Sequence, residues 1–190
     1  MQPIGPLMAE HRLIERLVQL LAQELERLKS NVAVDPEFAF VDPVFIDMAV
    51  DFFRTYADRC HHGKEEDLLF AELAKKALTP EHRRLLEELT QEHVRARELT
   101  RGLLEAKKAH LRQEPGALER ILEHLEALVA LYPRHITAED RDFFPAAMEY
   151  FSPAEKESLL SRMAEFDRQL IHEKYRGIVE AYESRRACQL

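Results

Sequence analysis

Apolar positions return every three to four residues over most of the chain, and each such stretch opens or closes on a recognisable signal. The first, from about residue 6 to 29, sets Leu7, Ile14, Val18, Leu21, Leu25 and Leu28 on one stripe. The stretch "SNVAVDPEFAFVDP" then breaks the period and places Pro36 and Pro43 in a loop. Asp42 as N-cap and Pro43 in the first turn start a second helix, which runs to about Ala77. Thr79-Pro80-Glu81 repeats that start for a third helix, to about Arg112. After "QEPG" a fourth runs from about Ala117 to Tyr150, with Pro133 and Pro145 placed to kink or end it. Ser152-Pro153-Ala154-Glu155 is a capping box that opens a fifth helix, ending near Ser184.

Four long helices with short connections predict an all-α, antiparallel up-and-down four-helix bundle over residues 1–150. The additional C-terminal helix, within 151–190, has its own apolar stripe of Leu159, Met163, Phe166 and Leu170. That stripe docks on the bundle or at a dimer contact, so the chain is expected to be a monomer or a homodimer. Five glycines and no tryptophan in 190 residues agree with long helices. No apolar run is long enough to span a membrane. The N-terminal stretch "MQPIGPLMAEHRLIERL" lacks the pattern of a secretory signal, and Cys60 and Cys188 form no disulfide framework, so a cytoplasmic protein is expected. A net charge of −8 argues against nucleic acid as a partner.

Nine histidines change the picture, because a helical chain has no structural need for a residue of mediocre helix propensity. His11 falls on the buried stripe of the first helix and His93 on that of the third, with Leu86, Leu89, Ala96 and Leu103. In the fourth helix the stripe reads Ile121, Leu125, Leu128, Tyr132, His135, Glu139, Phe143. His135 and Glu139, four residues apart, stand one above the other and can reach one centre. A single core histidine is ordinarily a hydrogen-bonded packing residue, but an ionised core glutamate asks for a cation.

The stretch "HHGKEEDLLF" from His61 aligns without gaps on "HITAEDRDFF" from His135. His61 matches His135, Glu65 matches Glu139, and Glu66 matches Asp140. The second and fourth helices thus carry two copies of one half-site. On an ideal wheel, however, His62 and Glu66 share the stripe of Leu69 and Leu73, so the neighbouring pair stays open as an alternative. Imidazoles with two carboxylates suit iron, manganese or zinc rather than calcium. Neither the His-Glu-x-x-His helix of zinc proteases nor the Glu-x-x-His of ferritin-like di-iron bundles occurs.

Over roughly residues 5 to 150, the chain resembles the hemerythrin-like, HHE cation-binding family. The resemblance rests on "AEHRLIERL", "CHHGKEEDLLF", "EHVRARELT" and "HITAEDRDFFP". It implies two non-haem iron ions bridged by Glu65, Glu139 and an oxygen species, with His11, His61, His93 and His135 as terminal ligands. It further implies a metal-binding protein, rather than a catalyst, for O2, NO or peroxide. A di-iron enzyme reducing peroxide or NO, or serving iron-centre repair, is the alternative, and a helical interaction module with a vestigial site is another. This chain differs from the oxygen carriers of the family. Arg97 stands where their third helix has a second histidine, and Asp140 where their last carboxylate falls. His62, at a position that can ligate in the wider family, is then a further metal residue. His82, His110, His124 and His172 fall off the metal-bearing stripes and take surface or packing roles. Cys60 is expected as a small buried residue rather than a redox thiol. The Tyr132 hydroxyl either packs in the core or faces a metal-bound oxygen.

Overall fold

The computed structural model describes residues 2–35 and 39–169, which form five helices and no strand. Helix α1 is Ile4–Val34 and α3 is Pro80–Leu111. Helix α2 spans 43–73, α4 spans 117–148 and α5 spans 153–169. The start signals act as their chemistry requires. Asp42 accepts from the Val44 and Phe45 amides, Thr79 accepts from the His82 amide, and Ser152 and Glu155 cap each other reciprocally. Helix α1 outlasts its stripe by one turn because nothing stops it before Asp35, which is extended and precedes a proline in the sequence. Pro133 lies within α4 without ending it, and Pro145 sits in the first turn after Phe143, where a missing N–H is tolerated. The expected end of the fifth helix, with Leu170 and His172, lies outside the described residues.

Helices α2 and α4 depart from regular geometry at matching places. Phe53–His62 and Glu65–Phe70 in α2, and Ala138–Phe143 in α4, are wound as π-helix. A turn closed by an i→i+5 bond takes roughly 4.4 residues instead of 3.6, so mixing the two averages about four per turn. A repeat of four then runs straight along the helix. Ala57, His61, Glu65, Leu69 and Leu73 are all buried, as are Leu131, His135, Glu139, Phe143 and Ala147 on α4. The row of His61 and Glu65 thus faces the core along its length, with His62 buried beside it. On an ideal α-helix the first row would drift off the core face within three turns.

The apolar core forms two clusters. One gathers Ile14, Val18, Phe53, Ala57, Ala96, Leu103, Leu128 and Tyr132 with their neighbours. The other gathers Leu7, Phe70, Leu89, Phe143 and Phe144 with Leu159 and Met163 from α5. Each of α1 to α4 passes from one cluster to the other, and α1 and α3 cross in the sense opposite to α2 and α4. A buried histidine occupies the crossing point on every one of the four, joined by a buried glutamate on α2 and α4. A polar layer therefore lies between two dry plugs.

Candidate metal centre

His11, His61, His62, Glu65, His93, His135 and Glu139 all lie in this layer, none more than 3 % exposed. Their donor atoms converge as two groups. His11 and His61 meet Glu65 and Glu139 in one, and His62, His93 and His135 form the other. The two carboxylates stand between them. Glu65 Oε1 is 3.4 Å from His61 Nε2, while its Oε2 is 3.4 Å from His93 Nε2. Glu139 Oε2 is 3.1 Å from His11 Nε2 and 3.3 Å from His135 Nε2. His62 stacks on His93 with ring centroids 3.9 Å apart.

Whether these residues suit a metal is tested by their own hydrogen bonding. Eight buried side-chain atoms have no hydrogen-bond partner among the described residues: Nε2 of His11 and His61, both ring nitrogens of His62, and all four oxygens of Glu65 and Glu139. Each such atom costs about 1–3 kcal/mol if nothing satisfies it, and native cores rarely hold several together. Cations at the focus would satisfy the four carboxylate oxygens, Nε2 of His11 and His61, and one of the two ring nitrogens of His62. Five imidazoles and two carboxylates make a donor set of borderline hardness, which fits iron, manganese or zinc.

The outer ring nitrogens tell the complementary story. Nδ1 of His11 bonds Asp140 at 2.8 Å, His61 bonds Glu10 at 2.9 Å, His93 bonds Glu66 at 2.7 Å, and His135 bonds Glu92 at 2.9 Å. Each carboxylate adjoins, in sequence, an inward residue of its own helix and grips a histidine of another. Glu10 of α1 holds α2, Glu66 of α2 holds α3, Glu92 of α3 holds α4, and Asp140 of α4 holds α1. The ring is closed. A carboxylate on Nδ1 fixes the tautomer that leaves Nε2 free as a donor atom, and it raises the ligand's basicity. Glu66 and Asp140, weighed above as alternatives to the inward carboxylates, face outward in this ring. Glu10 and Glu92 were missed; their signal was an acid directly before each core histidine of the first and third helices.

Electrostatics follow from burial and charge. Burial and the charge on Glu139 push the Glu65 carboxyl well above the usual range. Burial also works to raise Glu139, but the electrostatic pull of the neighbouring His135, His11 and His93 imidazoles outweighs it and holds it well below. Burial lowers His61 to about 4 and His62 well below its ordinary value of 6.5. Burial opposes protonation of His11 too, yet Asp140 and Glu139 raise it to about 9.

A pH dependence follows for the metal-free protein. Below about 6.5 the unfolded chain protonates its histidines while His61 and His62 in the fold do not, so stability falls as pH drops toward 4. The His11 contribution has the opposite sign, being complete below 6.5 and lost as pH rises through about 9. The urea midpoint of metal-free protein is expected to peak near pH ~6.5–7 and fall on both sides. A midpoint flat from pH 4 to 9 would contradict this.

The other singled-out residues stay outside the layer or at its edge. Tyr132 stacks on Phe53 with centroids 4.9 Å apart, and burial raises its phenol far above the physiological range. With His62, Arg97 and Thr100 it lines a cavity of about 260 Å³. His82 Nδ1 meets the Tyr150 hydroxyl at 2.7 Å, away from the centre. Cys60 is buried and its thiol, pushed up to about 12 chiefly by desolvation, stays protonated. Arg97 pairs with Asp58 and Glu66, both at 2.7 Å, and so backs a carboxylate of the ring instead of replacing a histidine.

Among protein families, the model of the hemerythrin HHE cation-binding domain matches residues 2–147. Neither the curated proteins nor the solved structures contain a match.

Proposed function

The chain belongs to the hemerythrin HHE cation-binding family, and from that premise we propose that it holds a non-haem di-iron centre that binds or senses O2 or a related small ligand, NO or peroxide. The observation that carries this is the convergence of five imidazoles and two carboxylates in an otherwise dry core. Among the described residues, both carboxylates and nitrogens of His11, His61 and His62 lack hydrogen-bond partners, and Nε2 of His93 and His135 hydrogen-bond only each other, at 3.2 Å. His62, His93 and His135 would hold one iron, His11 and His61 the other, and Glu65 and Glu139 would bridge them. His62 then supplies the fifth imidazole that Arg97 cannot. The alternating passage of α1 to α4 between the two core clusters supports an antiparallel up-and-down bundle over the first 150 residues or so, with the C-terminal helix appended.

An iron pair supplies an electron-rich centre to which a small oxidising ligand binds. The protein's own residues do the rest. Leu7, Phe70, Phe143 and Phe144 close one side of the layer and Ile14, Ala57 and Ala96 the other, keeping bulk water from the donor atoms. The four outer carboxylates hold each Nδ1 proton in place, so the imidazoles present Nε2 without a rearrangement. Loading must displace the protons that His11 and Glu65 carry in the metal-free state, so uptake releases acid and weakens as pH falls. The cavity at His62 and Tyr132 is large enough for a diatomic molecule.

Metal content tests the reading. Protein made without a histidine tag in iron-supplied cells is expected to carry about two irons per chain by mass spectrometry. A single metal, or none, would remove the di-iron assignment.

A further inference from the structure

Each of the four ring carboxylates is backed by a cation. Arg12 pairs with Asp140, Arg97 with Glu66, and Arg134 lies 3.6 Å from Glu92. Those three arginines are partly or largely in solvent, with 56 %, 37 % and 74 % side-chain exposure. The fourth cation is different. Lys64, paired with Glu10, is completely buried, and its ammonium also donates to Asp167 of α5 at 2.6 Å. Glu10 uses its other oxygen on His61 Nδ1. An unbroken chain of contacts thus runs from Asp167 through Lys64 and Glu10 to His61.

The same stretch meets α5 at two further points. Cys60 Sγ donates to Asp167 at 3.3 Å. A Cβ on Gly63 would stand 2.8 Å from Cζ of Phe166, so α5 lies against α2 at the residue between His62 and Lys64 only because glycine is there. In "CHHGK" the two histidines face the centre, while the residues around them are built to receive α5.

We propose that helix 153–169 is a clasp on the His61 corner of the centre, with Lys64 and Asp167 as positioning residues that act on His61 through Glu10. Retention of the metal at the His11/His61 position then depends on α5 being docked, and whatever lifts the helix loosens that metal first. This rests on the dinuclear reading above. By reciprocity, metal at that position also strengthens docking of the helix.

The test uses the full chain loaded with ferrous iron and a ferrous chelator, following release. Asp167 is 38 % exposed on its side chain, so Asp167→Asn is expected to fold. It should speed release of one iron about tenfold and leave the other at the wild-type rate, since loss of support behind a histidine ligand weakens binding about 10- to 100-fold. In a Glu10→Ala background, Asp167→Asn should add nothing to release, although it still lowers the urea midpoint. Restoring the charge with Asp167→Glu should recover most of the slow release. Equal release of both irons, no change in either, or effects of Glu10→Ala and Asp167→Asn that multiply would each overturn the clasp. A wild-type chain that never takes up two irons overturns the dinuclear reading, and the clasp with it.

Discussion

Glu65→Gln is expected to take metal content from about two ions per chain to one or fewer, because among the described residues only Glu65 and Glu139 stand within reach of both imidazole groups. The amide keeps the volume of the side chain and removes the charge, so the change isolates bridging from packing. It also separates function from fold. In the metal-free protein two fully buried carboxylates share one layer, and burial with the Glu139 charge already makes ionised Glu65 unfavourable. The metal-free variant is therefore expected to melt at the wild-type temperature or slightly above it. Mass spectrometry for metal and calorimetry for melting check the two halves. Two tightly held ions in the variant would remove Glu65 from the centre.

Stripping the metal is expected to lower the melting temperature by about 20 °C. The estimate follows from linkage. An ion present at about a thousand times its dissociation constant stabilises the folded state by roughly 4 kcal/mol, and two such ions by about twice that. For a chain of this length each kcal/mol moves the midpoint by about 2–4 °C. The partnerless atoms set the sign, since the metal-free fold buries them unsatisfied, while bound ions would take the four carboxylate oxygens and one nitrogen each of His11, His61 and His62. Scans of loaded and chelator-treated protein measure the difference. An unchanged midpoint would point to the interaction module, with α5 as its binding element and the polar layer as a relic.

Asp42, Thr79 and Ser152 were legible in the sequence because a cap is decided within three residues. The inward row of the fourth helix and its copy in the second were legible for a related reason: a buried carboxylate four residues after a histidine has few uses other than a cation. The register of α2 was less so. The ideal wheel points to His62 with Glu66, and only the π-helical turns bring His61, Glu65, Leu69 and Leu73 onto one face, with His62 buried beside them. Winding of that kind is selected by what the helix packs against.

What the sequence by itself determined, then, is every interaction whose partners lie within about a turn of one another: the helix starts, the apolar stripes and the paired half-sites. Only the tertiary structure decided the outer ring, whose partners range from 27 residues apart for His93 and Glu66 to 129 for His11 and Asp140. It also decided that a lysine between a glycine and a glutamate is the one fully buried cation of that ring, held from the far side by Asp167. Charged residues beside a core stripe look alike on a helical wheel. Which of them become ligand supports depends on the neighbouring helix that each happens to face.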